Sequence, residues 1–156
     1  MTSRRALVVL AVLLGVLAAC GDDGSDGAGY GPDREIVVED VTIVEPAGAN
    51  SAVYLTLRNE GPDADRLVEV RSDDAARTEL HETRADDDGL MRMHEVEAVD
   101  LPAGSTVHLE PGGLHVMLFE MTELVAGDTT TVELVFEHGP ALTVEATVRT
   151  HAELLG

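Results

Sequence analysis

The chain has 156 residues, with 30 Asp plus Glu against 10 Lys plus Arg and a formal net charge of −20. All the basic residues are arginines, and so acidic a surface repels phosphate backbones, which excludes nucleic acid as the expected partner. A single cysteine rules out an intrachain disulfide framework, and the length suits one domain with a modest core.

The chain opens on Thr2-Ser3-Arg4-Arg5, a short basic head, followed by an apolar run from Ala6 to Val16 broken only by Gly15. Residues 1–19 read as a signal peptide, too short for a stable membrane span. Leu17-Ala18-Ala19-Cys20 resembles the lipobox of bacterial lipoproteins. That resemblance implies that Cys20 becomes an acylated N-terminus and that the protein is extracytoplasmic, lipid-anchored to the cell membrane. Two or three acyl chains hold firmly where one does not. A soluble secreted protein and an uncleaved anchor are the other readings of this segment, and Arg4-Arg5 also fits a twin-arginine export signal. With Cys20 lipidated, no thiol remains for a disulfide, a nucleophile or a thiolate metal site.

Residues 20–33, the lipidated cysteine and GDDGSDGAGYGPD, read as a flexible acidic tether with a root-mean-square reach of about 20 Å. Residues 34–156 then form one β domain. Ile36 to Val44 and Ser51 to Leu57 are rich in β-branched and apolar residues. Thr78 to His81 is a short run that enters a loop over Glu82 to Gly89. Leu90 to Val96 and Leu114 to Met121 alternate, as do Thr131 to Phe136 and Leu142 to Val148, with Val132, Leu134 and Phe136 on one face and Leu142, Val144, Ala146 and Val148 on another. Turn signals such as Asn59-Glu60-Gly61-Pro62, Pro111-Gly112-Gly113 and Gly139-Pro140 separate the runs. No helical periodicity exceeds a turn or two. The pattern predicts an all-β, antiparallel Greek-key sandwich or barrel of about eight or nine short strands.

Four side chains on these strands carry chemistry. His115 and Met117 project from one face of their strand while Leu114, Val116 and Leu118 project from the other. Met91 and Met93 share a face, with Arg92 and His94 opposite. If His81, Met93, His115 and Met117 meet, two imidazoles and two thioethers make a soft set that suits Cu(I) and suits calcium, magnesium or manganese badly. Thioether sulfur adds no charge and forms no disulfide in an oxidising compartment, and proton competition enters only below about pH 6.5, where imidazole charges. A blue-copper centre needs a cysteine sulfur that the mature domain lacks, so the set points to holding and releasing a metal ion, without redox turnover.

The segments Glu79-Leu80-His81-Glu82-Thr83, Gly89-Leu90-Met91-Arg92-Met93, Leu101-Pro102-Ala103-Gly104 and Pro111 to Leu118 resemble the periplasmic copper-A chaperone family, PCuAC. Its pattern is His-Met, ten residues, Met, twenty-one residues, then His-x-Met. Here Thr83 to Arg92 and His94 to Leu114 supply those gaps between His81, Met93 and His115-x-Met117, and the likeness covers about residues 36–150. The resemblance implies a cupredoxin-like β-barrel that binds one Cu(I) through His81, Met93, His115 and Met117. It also implies delivery to a copper-accepting protein such as the copper subunit of cytochrome c oxidase, or more general copper handling outside the cytoplasm. Glu82 stands where the family has an optional Met, and is read as facing water.

The remaining candidates have plainer readings. Met91 and Met121 are expected to pack, Met91 being also a competing ligand. His94, His108, His138 and His151 lack partner spacing and read as solvated or structural, with a weaker Cu(II) or Zn(II) site as the other option. Asp86-Asp87-Asp88-Gly89 lacks the ligand series of a calcium loop and reads as a solvated turn. Beside the chaperone stand a copper storage or resistance lipoprotein, a copper-dependent β-sandwich oxidoreductase, and a surface interaction domain that binds no metal.

Overall fold

The structure, a computed structural model, describes residues 36–155. The expected signal peptide, Cys20 and the expected tether therefore lie outside the described residues. Ten strands follow one another: β1 Ile36–Val44, β2 Asn50–Asn59, β3 Asp65–Arg71, β4 Ala75–Ala85, β5 Met91–Glu95, β6 Val99–Leu101, β7 Thr106–Leu109, β8 Leu114–Met121, β9 Thr129–Phe136 and β10 Leu142–Arg149. A single helical turn, α1 His151–Leu155, ends the described chain, and no helix among the described residues is long and apolar enough to cross a membrane.

The strands form one continuous sheet in the order β5-β4-β8-β7-β2-β1-β10-β9-β3-β6, with β8 also paired to β2. The sheet folds over on itself, because the Thr78 hydroxyl on β4 donates to the Val70 carbonyl on β3, strands far apart in that order. Between the two halves lies one apolar core, in which Ile43, Leu57, Leu67, Leu101, Leu118, Leu134 and Val132 are fully enclosed. The alternation expected in the last two strands appears as written. Val132, Leu134 and Phe136 are buried on β9, as are Leu142, Ala146 and Val148 on β10, with Val144 packed at the core margin.

The architecture departs from the sequence expectation in three respects. There are ten strands where eight or nine were expected; β6 and β7 have only three and four residues, too few for periodicity to register. Not every neighbour is antiparallel: β1 runs parallel to β10, and β7 meets β8 through a single parallel bridge, Leu109 to Leu114. That bridge marks a jog, since β7 pairs with Leu55–Arg58 of β2 and β8 with Asn50–Val53, so the two strands form one interrupted partner of β2. Most consequentially, His81 does not close its strand. β4 continues to Ala85, because Glu82, Thr83, Arg84 and Ala85 are laddered to β5, a pairing that their polar composition conceals.

Candidate metal centre

β4 lies between β5 and β8, and its register to both fixes the site. Across β4 and β8, His81 stands opposite His115, Glu79 opposite Met117 and Arg77 opposite Phe119. Across β4 and β5, Thr83 stands opposite Met93 and His81 opposite Glu95. Directly opposed residues project from the same face, so His81, Met93, His115 and Met117 share one face of three adjacent strands. Leu80, Val116 and Leu118 point the other way, 0–5 % exposed, into the core. Both methionines sit diagonally to His81, where residues are about 7–8 Å apart and long side chains reach.

The two histidines are brought together with ring centroids 5.8 Å apart and planes at 63°. His115 is 5 % exposed and His81 is half-buried. The His115 ring is held by its Nδ1, 3.0 Å from the Gly113 carbonyl at the jog before β8; that carbonyl also accepts the Thr83 amide at 3.0 Å. Nδ1 therefore donates, and Nε2 keeps the lone pair. His81 is oriented the other way: its Nε2 lies 2.8 Å from Glu79 Oε2, and its Nδ1 is buried without a hydrogen-bond partner. An orphaned buried acceptor costs about 1–3 kcal/mol, and a cation bound there would relieve that cost.

Aromatic rings shelter the pair. Tyr54 lies 6.5 Å from His115 and Phe119 6.3 Å from His81, centroid to centroid. Burial pushes the Tyr54 phenol above its ordinary value of 10.0. Arg77 stacks 4.0 Å above Phe119 and pairs with Glu79. The methionines differ: Met117 is half-buried, whereas Met93, on the edge strand β5, is 58 % exposed. The donor set is thus sheltered at its imidazoles and open at one thioether. Among the described residues no three His, Cys, Asp or Glu side chains form a metal-holding group.

Met91 does not pack as expected. It is 63 % exposed beside Met93, because β5 is an edge strand and this face of it is uncovered. Met121 packs against the core, as read. Glu82 alternates away from His81, half-exposed, with Arg84 at 3.5 Å. His108, His138 and His151 are exposed; His94 is half-buried on the core-side face, its Nε2 without a partner. Asp86 ties the turn before β5 by accepting the Asp88 and Leu90 amides at 3.0 Å, and Gly89 takes the left-handed φ of 75° that this turn needs. A cleft lined by Ile36, Asn59, Asp65, Phe136 and Leu142 contains none of the four predicted ligands. Sequence reasoning assigned no role to Glu79, Tyr54, Phe119 or Gly113. Glu79 and Phe119 left a signal, sharing the faces of His81 and His115 by simple alternation.

Comparison with known proteins places the chain among relatives. A family model described as "Putative lipoprotein LpqE-like" matches residues 36–148. The chain is 32 % identical over 147 residues to "Putative lipoprotein Lxx21020" of Leifsonia xyli subsp. xyli, covering 93 % of this chain and 89 % of that one. Among solved structures, the copper-bound PCuAC domain from PmoF2 superposes with a TM-score of 0.65 at 25 % identity, over 81 % of this chain and 99 % of that one. The Cu(I) form of DR1885 from Deinococcus radiodurans gives a TM-score of 0.59 at 30 % identity, over 74 % and 77 %. Its apo form gives 0.59 at 27 %, over 96 % and 99 %.

Proposed function

The chain belongs to the LpqE-like lipoprotein family and carries a PCuAC-like, cupredoxin-like β domain, and from that premise we propose that it is an extracytoplasmic copper chaperone. It holds one Cu(I) through His81, Met93, His115 and Met117 and passes the ion on by ligand exchange. The observation that carries this reading is the opposed His81–His115 pair, each ring with one nitrogen engaged and one lone pair free, flanked on the same face by two thioethers. Two solved relatives are described with copper bound, which supports the same cargo.

Soft sulfur and neutral nitrogen favour Cu(I) over harder cations. Two thioethers in the donor set favour Cu(I) over Cu(II), whereas a redox-cycling oxidoreductase has to hold both states. The task is therefore to bind and release, with no catalytic turnover. Lipid anchoring through Cys20 keeps the domain within a tether's reach of the membrane, where a membrane-bound acceptor such as the copper subunit of cytochrome c oxidase would meet it. Copper storage is the second reading, favoured by the shelter of the imidazoles.

The test is a competition titration of the metal-free protein against a chromogenic Cu(I) chelator. The expected result is withdrawal of one equivalent of Cu(I) per chain, with Zn(II) a poor competitor. A protein that takes no stoichiometric Cu(I) would end the copper reading.

A further inference from the structure

We propose that Glu79 is a positioning residue that selects the nitrogen through which His81 takes the metal, an inference that rests on the Cu(I) reading above. Glu79 Oε2 lies 2.8 Å from His81 Nε2. A carboxylate only accepts, so Nε2 carries the hydrogen and donates it. A neutral imidazole then has one lone pair left, on Nδ1, the atom that is buried without a partner. In His115 the assignment is reversed: Nδ1 donates to the Gly113 carbonyl at 3.0 Å, and Nε2 stays free. The two rings therefore offer unlike nitrogens, Nδ1 from β4 and Nε2 from β8.

Carboxylate oxygen is too hard to suit Cu(I) itself, so Glu79 acts through the ring. A carboxylate that accepts the second ring N–H of a ligating histidine fixes its tautomer and orientation and raises its basicity. Glu79 is itself held in place. Its other oxygen pairs with Arg77, whose guanidinium is stacked 4.0 Å over Phe119. The strand register sets its backbone opposite Met117, so the carboxylate stands beside the donors and on their face.

Long-range proton–nitrogen correlation of the histidine side chains, recorded on the full chain in detergent before and after one equivalent of Cu(I), tests this directly. Before loading, His81 is expected as the Nε2–H tautomer. On loading, Nδ1 of His81 and Nε2 of His115 should be the resonances that move. An Nδ1–H tautomer in the metal-free protein, or Cu(I) on Nε2 of His81, would overturn the inference. Glu79→Ala is expected to weaken Cu(I) binding 10–100-fold, and Glu79→Gln, whose amide oxygen still accepts from Nε2–H, to recover most of that loss. Wild-type affinity in a folded Glu79→Ala protein would also overturn it. If Glu79→Ala does not fold, the wild-type nitrogen assignment and Glu79→Gln decide. If the wild type takes no Cu(I), the chaperone reading has failed, and the metal-free tautomer of His81 still decides the role of Glu79.

Discussion

At the residue scale, the four proposed donors divide into a sheltered part and an open part. His115 is 5 % exposed and Met93 58 % exposed, so their side chains contribute very differently to the fold. Met93→Ala should therefore change stability by less than about 0.5 kcal/mol, as an exposed substitution does, yet weaken Cu(I) sharply. Met117→Ala should weaken Cu(I) comparably, and Met91→Ala much less. Chelator competition and urea unfolding on the same three variants check this, and equal Cu(I) losses across all three would move the ligand assignment to Met91. Tyr54 gives a second residue-level prediction. Its phenol is raised by burial, so the folded state holds the proton more tightly than the unfolded chain. Stability contributed at this position is then intact below about pH 10 and falls as pH rises beyond it. Tyr54→Phe should flatten that alkaline loss in urea titrations at pH 9 to 11.

At the element scale, β4 and β8 carry the core on one face and the donors on the other, so the core face sets how firmly the donors are held. Leu118→Ala, at a fully buried position, should cost about 2–5 kcal/mol, read from the urea midpoint. Most strands were legible in the sequence. β1 and β8 have the expected limits, because Ile36–Val44 and Leu114–Met121 are rich in apolar β-formers, with turn signals after β1 at Pro46-Ala47-Gly48 and before β8 at Pro111-Gly112-Gly113. The pairing of His115 with Met117 on one face was legible for the same reason. The extension of β4 through Glu82, Thr83, Arg84 and Ala85 was not. Those residues are strand because β5 supplies ladder partners for all four, with β8 also pairing Glu82, and partner choice is tertiary information. Met91 was misjudged for a related cause: alternation says which face a side chain takes, and the position of β5 at the sheet edge says that nothing covers it.

At the scale of the whole molecule, charge acts on traffic to and from the site. The chain carries a formal −20, and loss of Arg4 and Arg5 with a signal peptide would make it more negative still. Its field repels anionic Cu(I) acceptors and draws cationic ones, over a screening length that shrinks from about 30 Å at 0.01 M salt to about 8 Å at 0.15 M. Stopped-flow transfer of Cu(I) to a disulfonated chelator should therefore speed up as salt rises over that range, and transfer to a cationic acceptor should slow. Identical salt responses for the two would remove steering from the account. One sheet also divides its labour by parity. Along β8 the even positions Leu114, Val116 and Leu118 pack against or within the core, while the odd positions His115 and Met117 face the site. Under the proposed Cu(I) reading, selection would retune cargo affinity at odd-numbered residues of this strand without renegotiating the fold. In a library of all single substitutions across 114–118, cellular abundance and growth on scarce copper should trace two interleaved combs, one tooth apart.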